Sequence, residues 1–273
     1  MIPKKIHYCW FGGQSLPELA VKCIESWKRH CPDYEIIQWN ETNYHLDDCV
    51  YVREAYEAGK WAFVSDYVRL DVIFREGGIY LDTDVEVIRS LDSLLNQKCF
   101  FAEETTSTVG TGLGFGSEKG NKVIEEMLFE YKGKHFKLAE GIYDTTPCPR
   151  RNTEVLLRYG YQYSALNIWS NDNITVYPPE FFCPMDSVTG ELTITPNTYS
   201  IHHYSALWIS DGEKQLEQEI SKMEKTTFFL RAFWKRNYLR YKFQKENGDV
   251  DSLRDYLIKK VKVRLINMIK KKW

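Results

Sequence analysis

The sequence predicts an α/β fold, and three features of the chain carry this prediction. Residues 4–11 and 34–39 have the composition of short strands, and residues 16–30 between them have apolar side chains at helical spacing. Residues 61–76 repeat the helical pattern in a more apolar form, and residues 79–81 follow as a brief buried strand. This alternation from the first residues onward is typical of a domain that opens with a parallel βαβ unit.

The N-terminal elements are delimited by glycine and by turn residues. Glycines at positions 12–13 end the first strand, and residues 40–43 form the turn after the second. The first helix has one apolar stripe, made by Leu19, Cys23 and Trp27.

The second helix leads directly into an acidic turn. Its buried face is predicted from the spacing of Val64, Val68 and Val72. Glycines at positions 77–78 end it, because glycine suits a left-handed C-terminal cap. The strand at 79–81 then runs into Asp82-Thr83-Asp84, and residues 85–88 resume a strand-like alternation. Two aspartates therefore stand where a core strand leaves the interior.

The remaining segments give weaker patterns. We expect helices at 121–131 and 153–159 and short strands at 174–177 and 199–203. From residue 212 onward the pattern is mostly helical, with a break near 247–248. The predicted organisation is one domain over residues 1–210, followed by a helical C-terminal extension over residues 211–273.

Composition excludes several classes of protein. The chain has 273 residues, 43% hydrophobic and 15% aromatic, which is ample for a packed core and unlike a disordered chain. We expect no secretory leader and no transmembrane helix, because no apolar run approaches 18 residues. Seven scattered cysteines without a C-x-x-C pair predict reduced thiols in a cytoplasmic protein and disfavour zinc.

The charge is distributed unevenly. Residues 225–273 contain fifteen Lys/Arg and four Asp/Glu, whereas residues 1–224 have a net charge of −13. Basic segments interleaved with aromatic residues suit an anionic lipid surface, so we expect peripheral attachment to the inner face of the cytoplasmic membrane. The alternative is a packed helix pair with a solvated basic face. The acidic remainder of the chain argues against nucleic acid as a partner.

Asp82 and Asp84 are the candidate metal ligands. Residues at i and i+2 of an extended segment point to the same face, so both carboxylates can approach one cation. Oxygen ligands favour Mg²⁺ or Mn²⁺, which usually also bind a substrate diphosphate. A solvated acidic turn is the alternative. Asp66 and Arg69 favour a functional site, since they are neighbours on an otherwise apolar helix that leads into this turn.

Three segments of the chain resemble glycosyltransferase family 32. They are I-P-K-K-I-H-Y-C-W-F-G-G at the start, S-D-Y-V-R at 65–69 and G-G-I-Y-L-D-T-D at 77–84. That family includes bacterial capsule and lipopolysaccharide transferases and fungal mannosyltransferases, and its core is similar to that of the clostridial glucosylating toxins. The resemblance is strong over residues 3–95. It implies a GT-A fold, retention of anomeric configuration and a Mn²⁺ or Mg²⁺ cofactor.

The same resemblance assigns roles to individual residues. Asp82 and Asp84 would handle ribose and metal, and Asp66 and Arg69 would bind the sugar and phosphate of the donor, or Arg69 would hold the aspartates. Trp10 would stack on the nucleotide base, although an ordinary core tryptophan is the alternative. The full expected donor-binding set is Trp10, Phe11, Ser65, Asp66, Arg69, Tyr80, Asp82 and Trp208.

A late histidine is the expected third metal ligand. Residues 200–208 resemble the family's C-terminal histidine segment, which usually closes with Ser-Trp; here Leu207 precedes Trp208, so the hydroxyl contact would shift to Ser205. His202 and His203 are both candidate ligands. Strand alternation turns them to opposite sides, so only one can bind the metal, and we favour His202.

The predicted function is therefore transfer of a hexose or N-acetylhexosamine from a nucleotide-sugar donor to a glycan acceptor. A UDP-sugar is preferred to GDP-mannose, and the acceptor is expected to be a lipid-linked bacterial surface polysaccharide. Glycines at 110–116 would pass close to the donor sugar. Two alternatives remain open: an aspartate-nucleophile phosphatase of the haloacid-dehalogenase type, and a non-catalytic sugar-nucleotide-binding module.

Overall fold

The computed structural model describes residues 1–104, 107–139, 142–186, 190–205, 229–246 and 256. The chain divides into two compact units. One contains Met1–Phe136 and Thr145–Ser205, and the other contains Lys137–Asp144 and Ala206–Trp273.

A seven-stranded mixed sheet forms the centre of the first unit. Its strands are β1 (Lys5–Cys9), β2 (Glu35–Trp39), β3 (Gly78–Tyr80), β5 (Cys99–Ala102), β6 (Phe115–Ser117), β9 (Trp169–Ser170) and β10 (Thr175–Tyr177). Their spatial order is β2-β1-β3-β6-β5-β10-β9. β1 is parallel to both β2 and β3, and β5 is parallel to β10, whereas β6 runs antiparallel between β3 and β5.

Helices pack around this sheet. They are α1 (Glu18–His30), α2 (Val50–Glu57), α3 (Trp61–Glu76), α4 (Lys122–Phe129), α5 (Cys148–Arg158) and α6 (Pro179–Phe182). α3 has both bounds as predicted, and its C-cap residue is Gly77, with φ +68°. At Gly78 (φ +106°) a side chain would meet the Lys5 backbone oxygen at 2.9 Å. Glycine is therefore required where α3 turns into β3.

A two-stranded sheet lies beside the acidic turn. β4 (Val85–Val87) pairs antiparallel with β11 (Ser200–His202), and His202 lies opposite Val85. The backbone N–H of His203 also donates to the Asp84 carbonyl at 3.0 Å. This pairing brings the late histidine segment to the aspartates across more than a hundred residues of sequence.

Two predicted bounds are corrected. α5 begins at Cys148 rather than near residue 153, because Pro147 serves as its N-cap and Pro149 fits the first turn, where no amide donor is needed. The first strand ends at Cys9 rather than at residue 11, since Gly12 (φ +93°) and Gly13 (φ +67°) turn the chain away.

The described part of the second unit contains a hairpin and one long helix. β7 (Lys137–Ala139) pairs antiparallel with β8 (Ile142–Tyr143), and α7 spans Phe229–Glu246. α7 agrees with the helical pattern predicted for this region, while most of the predicted extension over 211–273 lies outside the described residues. None of the described helices is long and apolar enough to cross a membrane.

Candidate metal and donor site

The two aspartates lie in a tight turn between β3 and β4. The Val85 backbone N–H donates to the Asp82 carbonyl at 3.0 Å and closes the turn. The Asp82 backbone N–H donates to the Gly112 carbonyl at 3.1 Å, which ties the turn to the glycine-rich segment. Both carboxylates are therefore held by backbone that is itself hydrogen-bonded.

Asp84 is held by two residues at the end of β11 and just beyond it. The backbone N–H and the Oγ hydroxyl of Ser205 both donate to Asp84 Oδ2, at 3.0 and 2.7 Å. His202 Nε2 lies 3.3 Å from Asp84 Oδ1. Burial opposes ionisation of Asp84, but the contacts with His202 and Ser205 outweigh it and lower the pKa below its usual value. Asp84 is thus a fixed, ionised carboxylate.

Arg69 and Tyr80 hold Asp82. Arg69 Nη2 lies 3.3 Å from Asp66 Oδ1 and 3.2 Å from Asp82 Oδ1, while Arg69 Nε donates to the Ser65 carbonyl at 3.1 Å. The Tyr80 hydroxyl donates to the same Asp82 oxygen at 3.0 Å, and its ring lies 5.0 Å from the guanidinium. Of the two roles left open for Arg69, this geometry provides the second, in which it holds the aspartates.

Asp66 lies deeper than Asp82. Burial raises its pKa, and the charge of Arg69 acts in the opposite direction. Its side chain is 12% exposed, against 29% for Asp82. The expected contact between Asp66 and a donor hydroxyl stays a prediction.

Asp82, Asp84 and His202 meet the requirements of a divalent cation site. One ligand atom from each residue lies within 4.8 Å of the other two. Two carboxylate oxygens and one imidazole nitrogen suit Mn²⁺ or Mg²⁺ better than a thiol-rich set would. The other ring nitrogen of His202, Nδ1, is buried and has no hydrogen-bond partner among the described residues. Buried polar atoms are nearly always hydrogen-bonded, so the unpaired Nδ1 of His202 indicates that a polar partner is missing at this site.

His203 does not join this cluster, so of the two candidate histidines only His202 lies beside the aspartates. The Nε2 of His203 lies 2.9 Å from Glu86 Oε2, because alternation along β11 turns it away from Asp84. Trp208, predicted to contact the donor, lies outside the described residues.

Trp10 and Phe11 differ in exposure. Trp10 is half-buried, and its indole N–H donates to the Gln14 carbonyl at 2.6 Å. Its predicted stacking on the base stays a prediction. Phe11 is 5% exposed and packs edge-to-face on Tyr44, with ring centroids 6.4 Å apart. The expected donor contact of Phe11 is corrected to core packing, since the ring has almost no free surface.

Sequence reasoning missed one acidic residue near this cluster and the detailed role of the glycines. A Cβ on Gly112 would lie 2.1 Å from Asp82 Oδ2, and a Cβ on Gly110 would lie 2.7 Å from Glu104 Oε1. The glycine-rich stretch was the available signal, but nothing in the sequence connected it to Glu104.

Comparison with known proteins identifies the class of this site. The family described as "Glycosyltransferase sugar-binding region containing DXD motif" matches residues 17–101. That span includes both aspartates, Asp66 and Arg69. The mixed sheet with its surrounding helices confirms the predicted α/β fold.

Two curated relatives match part of the chain. "Inositol phosphoceramide mannosyltransferase 3" of Schizosaccharomyces pombe is 28% identical over 157 residues, which cover 54% of this chain and 43% of the relative. "Subversion of eukaryotic traffic protein A" of Legionella pneumophila is 29% identical over 161 residues, covering 46% of this chain and 24% of the relative. The chain thus spans less than half the length of either protein.

Solved structures with a related arrangement include two glycosyltransferases. "PaToxG Glycosyltransferase" has 20% sequence identity and a TM-score of 0.44, covering 58% of this chain and 69% of that chain. A glycosyltransferase involved in the glycosylation of the major capsid of PBCV-1 has 13% identity and a TM-score of 0.43. It covers 80% of this chain and 100% of that chain.

Proposed function

We propose that this chain is a DXD-containing glycosyltransferase of the family-32 type that transfers a hexose or N-acetylhexosamine from a UDP-sugar to a growing glycan with retention of configuration. The observation that carries the proposal is the convergence of Asp82, Asp84 and His202 within 4.8 Å. A divalent cation bound there, Mn²⁺ or Mg²⁺, would supply positive charge against the diphosphate leaving group.

The residues of this chain have distinct tasks in the proposal. Ser205 fixes one oxygen of Asp84 through two hydrogen bonds, so the ligand needs no reorganisation when the donor binds. Arg69 and the Tyr80 hydroxyl hold Asp82 at a defined angle. Such fixed polar groups contribute most where bound substrate has excluded water.

The donor is the least constrained part of the proposal. The resemblance to family 32 supports a UDP-sugar, whereas the printed name of the fission-yeast relative points to a mannosyl donor. GDP-mannose is therefore the alternative that a donor assay must include.

We further propose a lipid-linked acceptor, such as a bacterial surface polysaccharide under construction, met by peripheral attachment to the inner face of the cytoplasmic membrane. Residues 225–245 hold seven Lys/Arg and no acidic residue, and each such charge near an anionic surface contributes about 1 kcal/mol. Flotation of the full-length chain with anionic liposomes tests this. Replacing those seven residues by Gln should abolish binding, and undiminished flotation would contradict the proposal.

The reaction itself is tested by donor turnover. Purified protein is incubated with a panel of UDP-sugars and GDP-mannose, with Mn²⁺, Mg²⁺ or EDTA, and release of the nucleoside diphosphate is measured. We expect cation-dependent release from one donor, abolished in Asp84→Ala and retained in Asp172→Ala. Asp172 is an exposed aspartate at the edge of the sheet beside β9 and provides the matched control. Undiminished release in EDTA, or in Asp84→Ala, would contradict the assigned site.

A further inference from the structure

Glu104 has a carboxylate in a defined position, and the proposed reaction assigns no role to it. It follows β5, and its backbone N–H donates to the Thr108 carbonyl at 2.7 Å. The Thr108 hydroxyl donates to Glu104 Oε2 at 2.9 Å. Both the backbone and the carboxylate of Glu104 are therefore held by the same residue.

The segment 110–112 lies against two carboxylates at once. A side chain at Gly110 would meet Glu104 Oε1 at 2.7 Å, and one at Gly112 would meet Asp82 Oδ2 at 2.1 Å. Real Cβ atoms essentially never approach another atom closer than 3.0 Å, so neither position accepts a side chain without movement. Glu104 and the acidic turn are therefore brought to one short stretch of backbone.

Two residues of helix α5 form hydrogen bonds with residues 109 and 111. Asn152 Nδ2 donates to the Thr111 hydroxyl oxygen at 3.1 Å, and the Val109 backbone N–H donates to the Thr153 hydroxyl oxygen at 2.8 Å. Thr111 and Asn152 are 0% and 1% exposed. Anchoring of this kind keeps the distance between Glu104 and Asp82 constant, because the backbone between their contacts has little freedom.

A carboxylate beside a diphosphate site has a restricted choice of ligand. It repels phosphate oxygens and accepts hydrogen bonds, and the hydroxyl-rich part of a nucleotide-sugar is the sugar itself. Resting on the function proposed above, we propose that Glu104 accepts a hydrogen bond from one hydroxyl of the transferred sugar and so determines which sugar is used.

The test compares hydroxyl recognition in wild type and Glu104→Ala. The probes are the UDP-sugar that the wild type hydrolyses best and each singly deoxygenated form of that sugar, with Mn²⁺ and water as acceptor. We expect the wild type to discriminate against one deoxy form by about 10- to 100-fold in kcat/KM, as for a hydrogen bond to a charged group. Glu104→Ala should accept that form and the parent sugar equally well.

Two control variants separate recognition from folding. Thr108→Val removes the hydroxyl that fixes Glu104 Oε2 but leaves the carboxylate, so it should weaken the discrimination without abolishing it. Glu35→Ala, at an exposed position of β2, should match the wild type throughout. Mn²⁺ affinity should be unchanged in Glu104→Ala, because Asp82, Asp84 and His202 remain.

Three results would overturn the inference. The first is discrimination in Glu104→Ala equal to that of the wild type, and the second is a loss of Mn²⁺ affinity in the same variant. The third is a defect of Glu104→Ala that appears only in assays with an added monosaccharide acceptor, since the hydroxyl that Glu104 contacts would then belong to the acceptor. Absence of wild-type turnover with every donor would instead refute the proposed function, so the two failures are distinguishable.

Discussion

Gly112→Ala should strongly reduce the proposed transferase activity without unfolding the protein. A Cβ at this position would lie 2.1 Å from Asp82 Oδ2 and 3.2 Å from Arg69 Nη1. Since a Cβ needs about 3.0 Å, the Asp82 carboxylate must retreat by roughly 0.9 Å. Gly112 itself has no positive φ, so alanine introduces no backbone strain there.

The size of the effect follows from that displacement. Misplacing a reacting or ligating group by about 1 Å can cost on the order of 100-fold in rate. The movement also disturbs the contacts of the other Asp82 oxygen with Tyr80 and Arg69. We therefore expect kcat/KM for nucleoside diphosphate release to fall about 100-fold and Mn²⁺ affinity to weaken, while Tm changes by only a few degrees.

Gly120→Ala is the matched control. Gly120 has φ +72°, and the space where an alanine methyl group would lie is open, with no other atom within 4 Å. This substitution should lower stability by about 1 kcal/mol through strain and leave kcat/KM unchanged. Wild-type activity and Mn²⁺ affinity in Gly112→Ala would refute the reasoning, because the displacement of Asp82 would then have no consequence at the site.

Three further predictions concern single contacts. His202→Ala should abolish Mn²⁺-dependent turnover, whereas His203→Ala should leave it within a few-fold of wild type. Ser205→Ala should raise the pKa of Asp84 toward its ordinary value. A carboxyl group whose pKa is lowered in the folded state stabilises the protein above its unfolded pKa, and this stability is lost as the pH falls. Acid unfolding of the variant, followed by circular dichroism, should therefore begin at a higher pH than in the wild type. Burial lowers the pKa of His7 from 6.5 to about 4. The unfolded chain thus binds more protons between those values, and stability should fall by about 3 kcal/mol from pH 6.5 to 4, but not in His7→Gln. Urea titrations of both proteins at each pH check this, and equal losses would contradict it.

Local pattern was sufficient for the elements that lead into the site. The apolar spacing and terminal glycine of α3 gave both of its bounds, because an amphipathic helix records its buried face in its own sequence. The Asp-x-Asp turn could be identified for a related reason, since it directly follows a strand that is buried throughout. Alternation along a strand likewise predicted that His202 and His203 face opposite sides, and only His202 lies beside Asp84.

The order of strands in the sheet and the long-range contacts could not be predicted from local sequence pattern. β6 inserts antiparallel between β3 and β5, an arrangement that depends on which edges remain to be paired and not on the composition of β6. The contacts of Ser205 with Asp84 span 121 residues. We expected Phe11 to contact the donor, but an aromatic side chain suits core packing equally well. A single sequence does not distinguish donor binding from core packing.

The two aspartates of the motif are consequently not interchangeable, although they look equivalent in sequence. Asp82 has a permanent counter-charge in Arg69, whose guanidinium stays ionised at all relevant pH values. Asp84 is instead held by the hydroxyl and amide of Ser205 and by an imidazole. We therefore expect more of its negative charge to be available to a cation, so that Asp84 would be the stronger ligand of the proposed cation and Asp82 would connect it to the glycine segment and Arg69. Replacing Asp84 by Asn should accordingly weaken Mn²⁺ binding more than replacing Asp82 by Asn, and the reverse order in calorimetric titrations would show that Arg69 does not neutralise its partner.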